Sequence, residues 1–583
     1  MNFFHNLLDH IKSAVTEIAL TKDIVCPDTT KVVIEPTKDA SHGDVATNAA
    51  LVLAKPMGMN PRQLAELLCE KLTVLPEVST VAVAGPGFVN VSFTNDFWIA
   101  QLHSLLRAGV SYGRANSGAN QTVNVEFVSA NPTGPLHAGH GRNAVLGDAI
   151  ASLLDCVGYD VTREYYINDA GGQVNALARS VYLRYCEALG DVISEEDFKE
   201  GMYGGDYLVP VGKILIEQFG DQYRGQAESV WLEPFKEATV AIMMVDVKAD
   251  LAAAGVVMDV YTSEKSLVKK GLVDDTLAAL EATDDVYAGV LAPPKGMVID
   301  DWEERPQTLF RATKYGDDID RALKKSDGSW TYFAGDIAYH YDKHCRGFAN
   351  MVNVFGADHA GYLKRLTAAV SAITQSKATF EIKVSQMVNF MDNGAPVRMS
   401  KRAGTFITLR DVIDRVGKDA TRYMMVSRHQ DMSIDFDFAK VIEQSKDNPI
   451  FYIQYAHARI HSVLRHIKSV DSSFSTDTLN DAKLELLTDD AEMSLIKLLS
   501  TWPRVIEMAA MTREPHRIAN SLYDIAGLFH SLWNKGKDDT TLRFIDANQP
   551  ELTKARMALI WGVANVLKSG LSLLGITAVE EMR

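Results

Sequence analysis

Up to about residue 110 the apolar positions switch between two periods. MNFFHNLLDHIKSAVTEIAL spaces Phe, Leu, Ile and Val three and four residues apart, as an amphipathic helix does, while VVIEP and STVAVAGPGFVNVSFT have strand character on either side of the helical stretch NAALVLAKPMGMNPRQLAELLCEKL. Strands around a helical middle predict a small α+β module, closed by the Gly-, Ser- and Asn-rich RAGVSYGRANSGAN and set at residues 1–112. Over residues 113–410 the apolar runs VNVEFVS, MVNVFGA and TFEIKVSQMVNF take turns with helical patterns such as AVLGDAIASLLDCVGY. That alternation predicts a parallel sheet covered by helices, a Rossmann-like domain. Long polar-amphipathic helices at about 173–256 suggest an insertion between two halves of the sheet. Beyond Asp411 the three-and-four spacing is nearly unbroken, giving a connecting helical segment at 411–445 and a helical bundle at 446–583. The predicted fold is multidomain, α/β plus α.

Composition changes this picture little. Across 583 residues, 47% hydrophobic and 23% charged content is ordinary for folded domains. A net charge of −16 and a pI near 5.4 argue against a protein that coats nucleic acid, yet leave room for a local basic groove. Cys26, Cys69, Cys156, Cys186 and Cys345 lie far apart with no Cys-x-x-Cys pair, so neither a disulfide framework nor a cysteine zinc site is expected. The first helix has no cleavage site behind it, and no apolar run reaches the ~18 residues of a membrane span. A cytoplasmic protein that does not enter membranes is expected.

Candidate chemistry sits in two loops. In VEFVSANPTGPLHAGHGRN, residues 125–143, a strand breaks at Gly and Pro and a helix opens on His137 and His140. Backbone N–H groups at such a helix start favour anions, and imidazoles beside them can donate to a phosphate as its charge develops. Gly139 and Gly141 remove side chains where a ring or phosphate comes close. Equally, the same residues are capping and turn residues, with surface histidines. The second loop, PVRMSKRAGTFITL at 396–409, brings Arg398, Lys401 and Arg402 onto small residues, either as cations for phosphates or as a solvated basic turn.

Together the two loops resemble the signature motifs of class I aminoacyl-tRNA synthetases, "HIGH" as His137-Ala-Gly-His140 and "KMSKS" as Arg398-Met-Ser-Lys-Arg402. The departures are Ala138, Arg398 and Arg402. Further stretches, SANPTGPLHAGHGRNAVLGD, INDAGGQ, MDVYTSE, YFAGDIAYHYDK, NPIFYIQYAHARI and the N-terminal HGDVATNAALVLAK and AGPGFVNVSF, are similar to the arginyl-tRNA synthetase family over essentially the full chain.

The resemblance implies ATP-dependent ligation of L-arginine to its tRNA through arginyl-adenylate. It implies catalytic roles for His137, His140 and Lys401, and ATP contacts at Gly139, Gly141, Gly356, Asp358, Met387, Val388, Arg398, Met399 and Ser400. A guanidinium calls for carboxylates with an aromatic or hydroxyl neighbour. Glu264, Tyr332 and Asp336 are assigned that role, with Ser129, Asn131 and His359 toward the α-amino and carboxylate groups. On residues alone, Asp336 also fits a helix N-cap, Glu264 a first-turn charge, Tyr332 a strand aromatic and Asp358 a cap. Magnesium is expected on the phosphates, without a protein site of its own.

For tRNA, Tyr455 and Arg459 stand out within a helix that also carries Tyr452, His457, His461 and Arg465. Phe88 and Asn90 match the family's D-loop pair; Phe88 fits a strand core as well. A monomer is a family expectation. A cysteinyl enzyme or a tRNA-binding relative without catalysis are the other readings of the same loops. The first would want a cysteine zinc site; the second is disfavoured by the intact histidines and Lys401.

Overall fold

The computed structural model describes residues 2–291, 306–325, 328–397 and 407–582. At the N-terminus, Asn2 caps the helix Phe3–Thr21, its side chain accepting from the Phe4 N–H at 3.1 Å. That helix buries Phe4, Leu7, Ile11 and Val15 and packs on helix Pro61–Leu72, which in turn lies on an antiparallel sheet. The strands are β1 (Ile34–Pro36), β2 (Val45–Thr47), β3 (Val78–Ala84) and β4 (Phe88–Phe93), in the order β1-β2-β4-β3. The single helical stretch expected before β3 is two helices, Ala49–Leu53 and Pro61–Leu72. Gly58 between them has φ +62°, and Pro61 opens the second helix behind its Asn60 cap.

The central sheet contains β5 (Thr122–Glu126), β6 (Asp160–Ile167), β7 (Val260–Ser263), β11 (Asn350–Gly356) and β12 (Thr379–Ser385), all parallel, in the order β12-β11-β5-β6-β7. Strand order reverses between β5 and β11, so the loops leaving their carboxyl ends open a crevice. Helices Gly172–Ala188, Val209–Phe219 and Glu228–Ala253 join β6 to β7, which pair directly. This insertion therefore lies within one half of the sheet, contrary to the expectation that it divides the halves.

The connection between the halves instead carries a second antiparallel sheet, β8 (Val286–Gly289), β9 (Gln307–Phe310) and β10 (Arg321–Ala322). Past β12, β13 (Val388–Asp392) pairs antiparallel with β14 (Ala395–Pro396) and parallel with β15 (Ile434–Asp437). The segment expected to be a helical connector thus contributes a strand. Ile434 and Phe436 are buried with Asp435 exposed between them, a short alternation easily lost beside helical neighbours.

Helix Ala138–Cys156 has no solvent face over most of its length. It packs on β5, β6 and β11, and against helices Lys418–Val426, Trp502–Thr512 and Pro550–Leu573. A buried hub joins these parts. The Arg422 guanidinium donates to Asp148 Oδ2 at 2.6 Å, the Leu574 carbonyl at 2.6 Å and the Ala254 carbonyl at 2.9 Å, while Arg163 Nε donates to Asp148 Oδ1 at 3.0 Å. Gly575 makes room for that guanidinium: at φ +67° a Cβ would stand 2.3 Å from Nη2. The N-terminal module rests on the bundle through Asn2 to Glu507 at 2.7 Å and Lys497 to Asp44 at 2.7 Å. No described helix is long and apolar enough to cross a membrane.

Asp148→Ala leaves Arg422 with a buried, uncompensated charge and is expected to cost ~3–5 kcal/mol in denaturant unfolding of the whole chain, more than an average core truncation.

Candidate active site at the carboxyl edge of the parallel sheet

Directly after β5 the backbone takes an uncommon path. Val128 and Ser129 have φ +69° and +41°, left-handed values that non-glycine residues adopt at a cost of ~1–3 kcal/mol each. What holds them is a set of local bonds. The Val128 N–H donates to Asn143 Oδ1 at 2.6 Å, and Asn143 Nδ2 donates to the Val354 carbonyl of β11 at 2.8 Å. Ser129 Oγ donates to Glu126 at 3.1 Å and accepts from the Tyr166 N–H at 3.1 Å. Asn131 Nδ2 donates to Gln173 Oε1 at 2.7 Å.

His137 is the N-cap of Ala138–Cys156, so the capping reading is correct as far as it goes. Its Nδ1 accepts from the His140 N–H, and His140 Nδ1 accepts from the His137 N–H, both at 3.3 Å. The rings stack with centroids 3.6 Å apart. With each Nδ1 accepting, the neutral rings carry their proton on Nε2, the nitrogen away from the backbone. Capping thus orients the two donors.

The space left at Gly141 is filled by protein: a Cβ there would lie 2.7 Å from Leu409 Cδ1, and one at Gly139 would lie 3.0 Å from the His137 ring. At both positions the missing Cβ leaves room for protein side chains. Leu409 follows the second loop, whose far end is tied to the first. The Ala138 N–H donates to the Ile407 carbonyl at 3.1 Å, and the Leu409 N–H to the Leu136 carbonyl at 2.7 Å. Arg398, Met399, Ser400, Lys401 and Arg402 lie outside the described residues.

Opposite this loop, Thr331 caps the helix Tyr332–Cys345 through the Ala334 N–H, which rules out the cap reading of Asp336 one turn further in. Asp336 is half-buried and accepts a short hydrogen bond from the Tyr362 hydroxyl. Burial lifts its carboxyl to about 7; the Tyr362 bond opposes this, and the charges of Glu126 and Glu264 add to it. Glu264 does stand in a helix first turn, at the head of Glu264–Lys269. Burial raises its carboxyl too, the Ala170 N–H opposing and Asp169 adding. Asp169 fixes that helix start by accepting from Ser263 Oγ at 2.7 Å and the Lys265 N–H at 2.8 Å.

Glu264 Oε2 and the Tyr166 hydroxyl are both buried without a hydrogen-bond partner among the described residues. Two carboxylates that resist ionising, beside an orphaned oxygen, make a pocket that calls for a cation. Tyr332 is 60% exposed at its rim, on a helix start rather than a strand.

Beneath lies a satisfied ionic layer: Lys343 Nζ donates to Glu126 Oε2 at 2.7 Å, and Asn353 Nδ2 to the same oxygen at 2.8 Å. At the end of β11, Gly356 leads into the short turn Ala357–Tyr362, where Asp358 and His359 are exposed and 3.7 Å apart. Gly356, and not Asp358, takes the cap position there. Met387 is 66% exposed just before β13, its carbonyl accepting from the Ile434 N–H at 3.1 Å, and Val388 is buried.

Sequence reasoning missed Asn143, Tyr166, Gln173 and Tyr362. Asn143 left a trace, a polar residue inside an apolar helical run.

In the bundle, Tyr455 and Arg459 line a groove of about 910 Å³. The Arg459 guanidinium lies over the Tyr455 ring at 4.3 Å and the Trp533 ring at 4.8 Å. His457 and His461 turn elsewhere, toward the C-terminal segment, with His457 Nδ1 2.8 Å from the Val579 carbonyl and His461 facing Glu580 at 3.8 Å. In the N-terminal module Phe88 is 42% exposed at the head of β4, which excludes the core reading, and Asn90 is half-buried on the same strand.

Three family models match the chain: the arginyl tRNA synthetase N terminal domain over residues 5–93, the tRNA synthetases class I (R) catalytic domain over 101–190 and the DALR anticodon binding domain over 453–582. The arginine--tRNA ligase of Parvibaculum lavamentivorans is 52% identical over 587 residues, covering 100% of both chains. The chain belongs to the arginyl-tRNA synthetase family. The Azorhizobium caulinodans arginine--tRNA ligase is 53% identical, again over 100% of each chain. Among solved structures, Thermus thermophilus arginyl-tRNA synthetase shares the fold with a TM-score of 0.73 at 20% identity, covering 99% of this chain and 100% of that one. The Plasmodium falciparum arginyl-tRNA synthetase gives 0.72 at 15% identity with 100% coverage of both. Arginyl membership settles the choice between the arginyl and cysteinyl readings of the two loops.

The raised Asp336 carboxyl has a stability consequence. Its folded value of about 7 exceeds the ordinary 3.8, so the folded chain holds a proton that the unfolded chain releases. That contribution is complete below the unfolded value and lost as pH rises through about 7. Asp336→Asn is expected to flatten the stability-versus-pH curve of the ligand-free protein across that window, as followed by urea unfolding at several pH values.

Proposed function

We propose that the half-buried Glu264 and Asp336 carboxylates receive the guanidinium of L-arginine, and that this pocket supplies the amino acid for a two-step ligation to tRNA. The arginine carboxylate attacks the ATP α-phosphate, forming arginyl-adenylate and pyrophosphate; a terminal ribose hydroxyl of tRNA then takes the acyl group and AMP leaves. The observation that carries this reading is the charge of the pocket. Two carboxyls pushed toward their neutral forms regain charge when a cation enters, and a guanidinium offers five N–H donors to their oxygens and to Tyr166. Tyr332 flanks the guanidinium at the rim, while Ser129, Asn131 and His359 face the α-amino and carboxylate end.

On the ATP side, His137 and His140 donate from Nε2 to the phosphates, joined by Lys401, and no protein nucleophile is needed. Arg398, Met399 and Ser400 accompany Lys401 in the same loop. Gly356 and Asp358 meet the ribose, and the backbone of Met387 and Val388 meets the adenine. Gly139 and Gly141 shape the helix start beneath the phosphates. ATP arrives with magnesium on its phosphates, as substrate. For tRNA, the Tyr455 and Arg459 groove takes unpaired anticodon-loop bases by stacking, and Phe88 with Asn90 takes the D-loop.

Arginine-dependent ATP–pyrophosphate exchange, run with and without tRNA, tests the reaction. Exchange with arginine is expected; exchange driven by another amino acid and not by arginine sinks the proposal. Asp336→Asn removes a charged acceptor worth roughly 1.5–3 kcal/mol, so kcat/KM for arginine is expected to fall about 10- to 100-fold with ATP affinity unchanged. In the parent, arginine affinity is expected to rise with pH up to about 7 and level off above it, as Asp336 ionises; titration calorimetry at pH 6 and 8 reads this. Arg459→Ala is expected to raise the KM for tRNA about tenfold, the worth of ~1–3 kcal/mol for a stacked base, and to leave the KM for ATP alone.

A further inference from the structure

Arg142 lies at the start of the second turn of helix Ala138–Cys156, two residues beyond His140, and is 1% exposed. No carboxylate is within bonding distance of it among the described residues. Its Nη1 donates to the Gln386 carbonyl at 2.7 Å and reaches the Met387 carbonyl at 3.5 Å, and its Nη2 donates to the His429 carbonyl at 3.2 Å. Its Nε is buried without a partner. Burial lowers its pKa to about 10, the charge of Asp431 opposing, so it remains a cation at neutral pH.

A cation buried on carbonyls alone is an expensive way to fill space, which an apolar side chain would fill at less cost. What the guanidinium adds is a bridge. The two segments it spans already touch, through the Gln386 N–H to the Gln430 carbonyl at 2.9 Å and the Ile434 N–H to the Met387 carbonyl at 3.1 Å. Arg142 fastens that pair to the helix that carries His140.

We propose that Arg142 is a positioning residue for the ATP half of the reaction, holding the Gln386–Met387 backbone in register with the helix start that presents His137 and His140. This rests on the nucleotide-edge reading of Met387 and Val388. The same clamp extends to the helical bundle. His429 Nε2 lies 3.2 Å from Glu514 Oε1, and Glu514 belongs to the turn between helices Trp502–Thr512 and His516–Asp538. One guanidinium therefore joins the phosphate-facing helix, the adenine-facing segment that leads into β13 and, through His429, the domain that meets the anticodon.

The test uses the full chain with Arg142→Lys and Arg142→Met in arginine-dependent ATP–pyrophosphate exchange with tRNA. Lysine keeps the buried charge yet cannot span both carbonyl groups. Its KM for ATP is expected to rise roughly tenfold, the loss of one charged hydrogen bond, with the KM for arginine within about twofold of the parent. Methionine is expected to shift the ATP KM further in the same direction. An ATP KM within about twofold of the parent in the lysine variant overturns the proposal whatever its melting temperature, and so does an equal rise for both substrates. Should the methionine variant not fold, the lysine variant decides alone. Absence of arginine-dependent exchange in the parent protein would instead refute the underlying reaction, and is read before either variant.

Discussion

A helix buried on every side has to answer each of its polar groups from within the protein, and that requirement organises this molecule around Ala138–Cys156. Three of its polar residues reach across to other segments: Arg142 to the carbonyls before β13 and at His429, with its Nε left over, Asn143 to the loop after β5 and to β11, and Asp148 to Arg163 and Arg422. Every one of these bonds fastens a different stretch of chain to the same rod. The histidine pair at its amino end is consequently held against β5, β11 and the residues preceding the Leu409–Val416 helix at once. Rigidity of this kind is what charge stabilisation needs, because donors that must reorient during reaction lose the advantage they hold over water.

The surroundings of Glu264 and Asp336 are built the opposite way. Beneath them, Glu126 is paired with Lys343 and Glu164 with Arg346, so the charges of that layer are matched. One layer up, burial raises both Glu264 and Asp336, the charge of Glu264 adding to the shift of Asp336 and that of Lys343 opposing it, and neither forms an ion pair among the described residues. Keeping two such carboxyls destabilises the empty protein above neutral pH, and a neutral lining would fold more easily. On the proposed reading, an uncharged side chain of similar size would leave both carboxyls and the buried Glu264 Oε2 unanswered.

Much of this was legible in the chain itself. The alternation of apolar strands with helices gave the parallel sheet, and two loops far apart in sequence named the crevice where they meet. The rest was hidden for definite reasons. Where an insertion joins a sheet depends on which strands pair, and pairing order leaves no mark on local periodicity, so the 173–256 helices were placed between the halves when they join β6 to β7. Two short strand-like residues, Ile434 and Phe436, could not outweigh the helical neighbours on either side. That Leu409 packs on Gly141 could not be read either, because it comes from a distant segment. His457 and His461 looked like part of an RNA-facing stripe, since a helix face shows which residues lie together and not what covers them; here the residues from Val579 to Glu580 do. The Asp336 cap failed by a simple shift of register, with Thr331 better placed to accept from the first turn.

The hub at Arg422 bears on how the chain can be divided. Its guanidinium draws bonds from the helix carrying the histidines, from the end of the insertion at Ala254 and from Leu574 near the close of the bundle, with Gly575 shaped around it. No cut between the sheet domain and the bundle leaves this group satisfied on either side, since one fragment keeps the charge and the other keeps part of its solvation. The boundaries that sequence comparison draws between modules are therefore not lines of mechanical independence. The sheet domain and the bundle share this buried ion, and a truncated catalytic fragment inherits it with part of its partners left behind.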